Sequence, residues 1–156
     1  MSGNMSTRPE LNLDRFMPYR LSVVTNRVSS AIAQHYSQRF DLSIPEWRVI
    51  AVLGQSPGLS ARQVAQRTAM DKVQVSRAVA SLLAARRLKK AAHVSDGRVA
   101  HLSLSARGQE IYDEVVPLAL DLEKRFLSVL TLKEREALDG LLAKLLTGSD
   151  QLWHSL

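Results

Sequence analysis

The chain of 156 residues contains no cysteine, which excludes disulfide bonds, thiolate metal sites and redox chemistry at a thiol. Its four histidines are scattered, and no two of them have the spacing of a metal-binding pair. No apolar run reaches the roughly 20 residues that a membrane-spanning helix needs. These absences predict a soluble, cytoplasmic protein with no metal, no cofactor and no membrane contact.

The sequence also lacks the arrangements of residues that enzyme chemistry needs. The sequence has no glycine-rich loop that could hold a phosphate group, and its serines have no base beside them. The carboxylates fall mostly on helix faces that are predicted to be exposed. We therefore expect no catalytic residues and no enzyme activity.

Acidic side chains are scarce in one part of the chain. Nine lysines and arginines but only two acids lie between Ser60 and His101, so this segment has a net charge of +7. The rest of the chain carries −1, although the whole chain carries +6. Nucleic-acid-binding proteins concentrate positive charge in this way, whereas a solvated face with no partner usually mixes both signs. The segment is therefore predicted to bind nucleic acid.

The centre of the basic segment has the pattern of an amphipathic helix. In residues 70–87, MDKVQVSRAVASLLAARR, the side chains of Val75, Val79 and Leu82 recur with the spacing of one buried stripe. The opposite face is basic and carries an amide, which suits the base edges in a DNA major groove. We predict a recognition helix over residues 71–87. Its predicted DNA contacts are Lys72, Val73, Gln74, Ser76, Arg77 and Ser81.

Two short helices are predicted before the recognition helix. Ser43 and Glu46 form a capping box, in which each side chain bonds the other residue's backbone N–H, and Ser60 and Gln63 form a second. Residues 68–70 then leave room only for a tight turn into the recognition helix. Two helices joined by such a turn are typical of a helix-turn-helix. The second short helix adds two predicted DNA contacts, Ser60 and Arg62.

The hydrophobic period changes after the recognition helix. Residues 99–104 alternate between apolar and polar side chains, as in a half-buried strand, and the turn SDGR at 95–98 precedes them. We predict a two-stranded wing over residues 88–104. Arg98 is expected to contact phosphate or the minor groove, the alternative being a solvated hairpin residue, and Asp96 is expected to support Arg98 or the turn. The wing adds one more predicted DNA contact, Lys89.

Long apolar stripes lie outside the basic segment. Residues 12–40 keep a helical period over several turns. Another helix is predicted over residues 105–129, with a kink at Pro117. A capping box at residues 131–134 starts the last helix, which carries a stripe of leucines and is predicted to end at Gly148.

These stripes offer more apolar surface than the segment between them can cover. We therefore predict a helical dimerisation region formed by residues 11–41 and 105–148, the alternative being that these helices fold back over their own chain. The winged module occupies residues 42–104. Residues 1–10 are predicted to be a disordered tail, and residues 149–156 a C-terminal tail.

Several motifs carry a resemblance to a known family. They are LSIPEWRVIAVL (42–53), LSARQVAQ (59–66), MDKVQVSRAVASL (70–82), SDGR (95–98) and LSLSARG (102–108). Together they resemble the MarR family of winged-helix regulators, and the similarity covers roughly residues 16–146. The chain departs from that family at residues 84–87 (AARR), where the family usually has an acidic residue followed by glycine. The end of the recognition helix is therefore expected to differ.

The resemblance implies a mainly α fold with a small β wing, in which a winged helix-turn-helix module is joined to a helical dimerisation region. It also implies a homodimer that binds a palindromic operator in double-stranded DNA, often with a small phenolic or aromatic carboxylate effector that relieves repression. We therefore predict a sequence-specific, ligand-responsive transcriptional repressor. The alternative is a winged-helix module that binds an acidic protein partner, but such a module needs exposed apolar anchors, whereas this helix exposes Gln74, Arg77 and Ser81.

An effector with a carboxylate would need a cation beside aromatic side chains. Arg20 lies next to the apolar stripe of the first helix, beside Tyr19 and upstream of His35, and Trp47 on the second helix could come near. These four residues form the candidate ligand site. The alternative is that Arg20 pairs with an acid of the last helices across the dimer.

Overall fold

The computed structural model describes residues 9–92 and 99–155 of the chain. In these residues the chain forms six α-helices, one two-stranded antiparallel sheet and a short 3₁₀ helix at Leu127–Val129. The predicted mainly α-helical fold with a small β wing is confirmed. The elements are α1 (Met17–Phe40), α2 (Ile44–Gln55), α3 (Ala61–Thr68), α4 (Lys72–Ala84), β1 (Leu88–Ala92), β2 (Ala100–Leu104), α5 (Ala106–Phe126) and α6 (Leu132–Ser155).

All three predicted capping boxes are present. In each, the N–H of the cap residue donates to the side chain three residues later, and that residue's N–H donates to the cap hydroxyl. These bonds satisfy donors that a helix start leaves unpaired, and they fix where α2, α3 and α6 begin. The distances from the cap N–H to the side-chain oxygen are 2.8 Å for Ser43–Glu46, 2.9 Å for Ser60–Gln63 and 2.7 Å for Thr131–Glu134.

The two strands pair antiparallel, with Leu88 opposite Leu104. Leu102 and Leu104 are buried, as the alternating pattern predicted, whereas Ala100, expected on the same face, is exposed at the outer end of the strand. Strand β2 also forms a bridge with Leu59, whose carbonyl accepts from the Leu102 N–H at 2.8 Å. This bridge, which the sequence did not predict, ties the sheet to the segment before α3.

The chain divides into two units, residues 1–115 (unit 1) and residues 116–156 (unit 2). Unit 1 has a continuous hydrophobic core to which α1 to α5 and both strands contribute. Burying an aliphatic side chain of this kind contributes about 1.5–3 kcal/mol, so these contacts are what hold the recognition helix in place. The most deeply buried side chains are Tyr36, Val49, Ile50, Leu53, Val64, Val75, Leu82, Leu102 and Val115.

Unit 2 contrasts with this core. No side chain is buried in the part of unit 2 whose side chains the structure describes, residues 116–152. Helix α6 carries the predicted leucine stripe, but most of its leucines are exposed by between 40% and 72%. They are Leu132, Leu141, Leu142, Leu145, Leu146 and Leu152.

In α1, α5 and α6, three predicted helix boundaries differ from the structure. Helix α1 begins at Met17 rather than near residue 12, because the preceding residues form a tight turn in which the Arg15 N–H donates to the Asn12 carbonyl at 3.1 Å. Helix α5 ends at Phe126 and is followed by the 3₁₀ turn. Helix α6 does not end at Gly148, and the predicted C-terminal tail is wrong as far as Ser155. A glycine inside a helix costs only about 1 kcal/mol and need not end it.

In the two described stretches, no helix is long and apolar enough to cross a membrane. The same stretches contain no group of three or more acidic or histidine side chains that could hold a metal ion.

Candidate nucleic-acid interface

Helix α4 presents a polar face to solvent. Asp71 caps the helix by accepting a hydrogen bond from the Gln74 N–H at 2.8 Å, so the acid that the sequence places here serves the helix itself. Val75, Val79 and Leu82 are buried, as predicted. The opposite face is therefore free for a partner. The residues on α4 that were predicted to contact DNA are all exposed: Lys72, Val73, Gln74, Ser76, Arg77 and Ser81.

The turn before α4 is short and well anchored. Ala69 has left-handed backbone with φ 52°, which lets the chain reverse between Thr68 and Met70. The Thr68 hydroxyl donates to the Val64 carbonyl at 2.8 Å, and the Met70 side chain is buried. A left-handed residue other than glycine costs roughly 1–2 kcal/mol, which the buried neighbours offset. The turn thus fixes α4 against α3 in a helix-turn-helix.

Helix α4 ends at Ala84, so the prediction that it continues to Arg87 is wrong. Arg86 has left-handed backbone with φ 55°. Its N–H donates to the Leu83 carbonyl at 3.0 Å, and the Arg87 N–H donates to the Leu82 carbonyl at 2.8 Å. These two bonds form a Schellman C-cap, in which glycine usually takes the left-handed position. The helix therefore ends in a common geometry, with arginine in the place of glycine.

Arg87 turns into the protein rather than outward. Its guanidinium donates to the Phe40 carbonyl at the end of α1, and the residue is half-buried. The Arg87 carbonyl accepts from the Ser105 N–H at 3.1 Å and lies so close to Gly108 that a β-carbon there would be 2.1 Å from its oxygen. Arg87 thus joins the ends of α1 and α4 to the start of α5. Its charge, which the sequence places with the basic surface, serves this contact.

The start of α3 contributes two of the predicted contacts. Ser60 is half-buried, and its hydroxyl accepts from the Gln63 N–H at 3.2 Å, so its first role is to cap the helix. Arg62, in the first turn, is exposed. A cavity of about 450 Å³ lies between α3, α4 and the sheet, and brings Ser60 and Ser76 together with Lys90 of β1. Lys90 is a basic neighbour that the predicted contact set lacks.

Part of the wing can be compared with its prediction. Lys89 is exposed on β1, where it pairs with Ser103 of β2. Because it is exposed, Lys89 can reach a phosphate, and its DNA contact stays a prediction. Arg98, expected near the tip, and Asp96, expected to support it, lie outside the described residues.

A groove of about 340 Å³ separates α4 from the start of α2. It brings three of the predicted contact residues next to the Glu46 carboxylate. The sequence identifies Glu46 only as a capping residue, because nothing in a capping box shows which distant helix its side chain faces. The groove is lined by Ser43, Pro45 and Glu46 on one side and by Gln74, Arg77, Ala78 and Ser81 on the other.

Glu46 places a negative charge in this otherwise basic region. Burial raises the pKa of its carboxyl, but the Ser43 N–H, the hydroxyls of Ser81 and Ser43, and the Arg87 charge together lower it more. The pKa is therefore below its ordinary value, and the group is a carboxylate at neutral pH. An acid in this position is a feature that the charge count along the sequence does not reveal.

The four candidate ligand residues do not come together within one chain. Tyr19, Arg20 and His35 are exposed on α1, and Trp47 is half-buried on α2. Arg20 and His35 are 15 residues apart on one continuous helix, which separates them by about 22 Å along the axis. One small molecule therefore cannot contact both within a single chain.

Trp47 belongs to an aromatic cluster inside unit 1. Its ring centroid lies 5.6 Å from that of Tyr36 and 6.4 Å from that of Tyr112. Tyr36 is buried, and this burial raises its pKa to about 12, against the opposing effect of the Arg48 charge. The Tyr112 ring packs on Gly54, where a β-carbon would lie 2.3 Å from a ring atom. The sequence pointed to Trp47, but it did not predict that Tyr36 and Tyr112 pack around it.

These features define the class of the protein. The α3–turn–α4 unit is a helix-turn-helix whose second helix exposes a polar face with Lys72, Gln74 and Arg77. The antiparallel strands β1 and β2 follow directly, as the wing of such a module does. The protein is therefore a winged helix-turn-helix protein of the kind that binds DNA.

Comparison with known proteins agrees with the resemblance that the motifs carry. Residues 40–99 match the sequence model of the MarR family. The chain is 28% identical to the HTH-type transcriptional repressor Rv2887 of Mycobacterium tuberculosis over 136 residues, which cover 86% of this chain and 93% of that protein. Residues 40–99 thus match the MarR family, as the motifs predicted, and the chain is similar over most of its length to a DNA-binding transcriptional repressor.

Solved structures agree over most of the chain. A MarR/EmrR family transcriptional regulator from Acinetobacter sp. ADP1 aligns with a TM-score of 0.83 at 29% identity, covering 90% of this chain and 99% of that one. The same fold is found in MepR of S. aureus, crystallised with DNA, with a TM-score of 0.76 at 18% identity and coverage of 85% and 98%. The similarity in fold therefore extends beyond the winged module.

Proposed function

We propose that the protein represses transcription as a homodimer bound to a palindromic operator, with α4 of each protomer in the major groove. The observation that carries this proposal is the exposed face of α4. It combines Lys72, Gln74 and Arg77, and its neighbouring acid Asp71 is engaged as the helix cap. Two similar proteins support this proposal: Rv2887 is named a transcriptional repressor, and MepR was crystallised with DNA.

The exposed residues divide by chemistry. Gln74 and Arg77 have side chains that can bond two base atoms at once, and Val73 can contact a thymine methyl group. Ser76 and Ser81 can each contribute one hydroxyl contact. The remaining predicted contacts are suited to the phosphate backbone. They are either positively charged side chains or a residue at the start of a helix. They are Ser60, Arg62, Lys72, Lys89 and, on the wing, Arg98.

The homodimer rests on the apolar side chains that one chain leaves uncovered. On α1, Met17, Leu21 and Val24 are exposed by 40–50%, and the leucines of α6 are exposed to a similar or greater extent. An exposed apolar stripe on a helix is typical of an interaction site. A second copy of the chain is the partner that a palindromic operator requires, since one winged module reads one half-site.

A small aromatic carboxylate is the proposed effector, and Arg20 its proposed anchor. Arg20 is exposed on α1, between Tyr19 and Leu21 in the sequence. Because Arg20 and His35 lie far apart on one helix, a site that includes both needs a second protomer. The competing role of Arg20, an ion pair across the dimer, uses the same surface.

The operator proposal is tested by DNA titration over a range of salt concentrations. Fragments of the source genome that the protein retains are sequenced first, and the enriched site is used as the operator. Gln74→Ala and Arg77→Ala should each lose about 1–3 kcal/mol of discrimination at one position per half-site. Arg98→Ala should reduce the salt slope by about 2 in a dimer, because it removes two phosphate contacts.

Lys124→Ala serves as the control, since it removes one exposed charge from α5 outside the winged module. It should leave both the base preference and the salt slope unchanged. Equal losses on operator and scrambled DNA for both α4 variants would show that α4 does not read bases. If the chain binds an acidic protein but does not bind DNA, that result would favour the protein-interaction alternative.

The effector proposal has a separate test. Arg20→Ala should still dimerise and bind the operator, but salicylate or another benzoate should release it less readily than it releases the wild type. An Arg20→Ala protein that fails to dimerise would instead assign Arg20 to the dimer contact.

A further inference from the structure

The long helix α1 packs on the core of unit 1 with its C-terminal part. Ile32, Ala33, Tyr36 and Phe40 belong to this packing, whereas residues 17–22 at the other end of the helix are all exposed. Apolar contacts hold two surfaces together but are not directional. A directional bond at the C-terminal end of α1 would therefore fix the angle of this helix more tightly than the packing does.

Arg87 supplies such a bond. Its guanidinium donates to the Phe40 carbonyl, which lies 47 residues earlier in the chain at the end of α1. The last carbonyls of a helix have no partner within the helix, and a positive charge beside them is favourable. A hydrogen bond from a charged donor is also stronger than one between neutral groups. The contact thus holds the end of α1 in a set direction from Arg87.

The backbone of Arg87 is itself fixed. Its N–H donates to the Leu82 carbonyl at 2.8 Å in the C-cap of α4, and its carbonyl accepts from the Ser105 N–H at 3.1 Å. The Ser105 hydroxyl also donates to the Arg86 carbonyl at 2.7 Å. The Arg87 side chain therefore starts from a position that the end of α4 and the start of α5 determine. A rotation of α1 relative to α4 must stretch or break the bond that this side chain makes.

We propose that Arg87 is a positioning residue that sets the angle between α1 and the recognition helix, and through it the half-site spacing that the homodimer accepts. Helix α1 lies in the proposed dimerisation region and α4 in the proposed DNA contact, so this angle relates the two recognition helices of a dimer. Moving one half-site by one base pair shifts it by about 3.4 Å and turns it by about 35°. A dimer in which the angle is fixed follows such a shift less well than a looser one. The inference rests on the proposed function, because half-site spacing matters only to a dimer on a palindrome.

The experiment measures the affinity for operators in which one base pair is inserted or removed between the half-sites. Wild type should bind each of these at least about tenfold more weakly than the operator with its own spacing. Arg87→Met keeps an unbranched apolar side chain but cannot donate, so it should reduce this difference to about threefold or less. Arg87→Lys keeps the charge and a donor and should restore most of the wild-type preference. A loss of stability alone would weaken binding to every spacing by the same factor.

A second measurement needs no DNA. The chain contains no cysteine, so Ala80→Cys provides one labelling site on the exposed side of α4 in each protomer. Spin–spin distances between the two labels then report how far apart the recognition helices lie in the free dimer. The distribution of these distances should broaden when Arg87→Met is added to Ala80→Cys. Arg87→Lys should leave the distribution close to that of Ala80→Cys alone.

A matched control lies at the adjacent position. Arg86→Met removes the same charge from a side chain that is exposed. It should leave both the spacing preference and the distance distribution as they are without it. If Arg86→Met and Arg87→Met change both readouts alike, the loss of charge is responsible and the inference is overturned. Thermal unfolding is measured for each variant, and should Arg87→Met not fold, Arg87→Gln replaces it, because its shorter side chain does not reach the end of α1.

The outcomes separate this inference from the proposed function. An Arg87→Met protein with the spacing preference of wild type would overturn the inference, whether or not the distances broaden. If Gln74→Ala and Arg77→Ala still weaken base discrimination in that case, the proposed function stands. If wild type shows no base discrimination on any DNA, the proposed function itself fails. The distances in the free dimer would then still show whether Arg87 sets the angle between α1 and α4.

Discussion

The two units of the chain use similar apolar patterns with opposite results. In unit 1, Leu53 and Leu82 are 1% and 0% exposed, whereas in unit 2 Leu145 and Leu146 are 54% and 68% exposed. All four lie on helices, at positions where a periodic pattern predicts a buried face. The difference is that unit 1 covers its own leucines. An apolar stripe therefore predicts that a face will be buried, but it does not show which chain will cover it.

The difference between the two units can also be expressed as a free energy of burial. Each leucine that becomes fully buried contributes about 1.5–3 kcal/mol, and α6 leaves several of them partly in water. A partner surface that covered this stripe would recover much of that free energy. The proposed homodimer would do so, and the exposed leucines of unit 2 would then be buried as the core leucines of unit 1 are.

The largest expected effect comes from placing charges on this stripe. Leu141→Glu together with Leu145→Glu should abolish the dimer, because two carboxylates would be buried without partners. Operator affinity should then fall by more than about 100-fold, since each half-site would be bound alone. Light scattering should give the mass of a single 17.3 kDa chain for the variant and twice that for wild type.

The control places the same charges on the other side of α6. Ala143→Glu with Thr147→Glu has the same spacing of four residues but lies roughly opposite the leucine stripe at 100° per residue. This variant should remain a dimer and bind the operator as wild type does. If both pairs of substitutions behave alike, the leucine stripe is not the interface.

A second contrast uses one substitution in both units. Gly108→Ala, in unit 1, would place a β-carbon 2.1 Å from the Arg87 carbonyl oxygen, whereas Gly140→Ala, in unit 2, meets nothing within 4 Å. Gly108→Ala should lower the free energy of unfolding by about 1–3 kcal/mol or more, as overpacking does. Gly140→Ala should raise it by roughly 0.5–1 kcal/mol, because alanine favours helix. Urea unfolding measures both changes in the free energy of unfolding. Changes of the same sign in the two variants would contradict the contrast between the units.

Local signals in the sequence predicted much of the fold. The boxes Ser43–Glu46 and Ser60–Gln63 start helices where expected, because a capping box depends on residues only three apart. The buried stripe of α4 and the change of period into the wing were also predicted. Each of these features is encoded within one helix or one strand. The exposed face of α4 follows from the same stripe.

The features that were missed depend on contacts between distant segments. Arg87 donates to the Phe40 carbonyl, and Leu59 bridges to Leu102, but neither pair leaves a periodic trace in the sequence. Glu46 looks complete as a capping residue, so its position beside α4 could not be anticipated. The helix end was predicted too late because Arg86 takes a left-handed conformation that usually belongs to glycine.

A smaller effect is expected at the end of α4. Arg86 has φ 55°, a conformation that costs an L-residue roughly 1–2 kcal/mol and costs glycine little. Arg86→Gly should therefore raise the free energy of unfolding by about 1 kcal/mol, less the added entropy of a glycine in the unfolded chain. Arg86→Ala serves as the control and should show no comparable gain. A loss of stability for Arg86→Gly would mean that the arginine side chain outweighs the backbone strain.

The smallest expected effect compares two equivalent acids across the units. The pKa values of Glu46 in unit 1 and Glu134 in unit 2 are both below the ordinary value. The pKa of Glu46 is lowered although burial raises it, and the pKa of Glu134 is lowered chiefly by the hydrogen bond from the Thr131 N–H. A depressed pKa in the folded state means that each carboxylate stabilises the fold above its unfolded pKa. This contribution is lost as the pH falls through the folded pKa.

Unfolding measured from neutral pH down to about pH 3 should therefore show a shallower loss of stability for Glu46→Gln than for wild type. Glu134→Gln should flatten the curve in the same direction. The two substitutions should add when combined, because the two capping boxes share no residue. A Glu46→Gln protein whose stability falls as steeply in acid as that of wild type would show that the capping box does not depend on the charge.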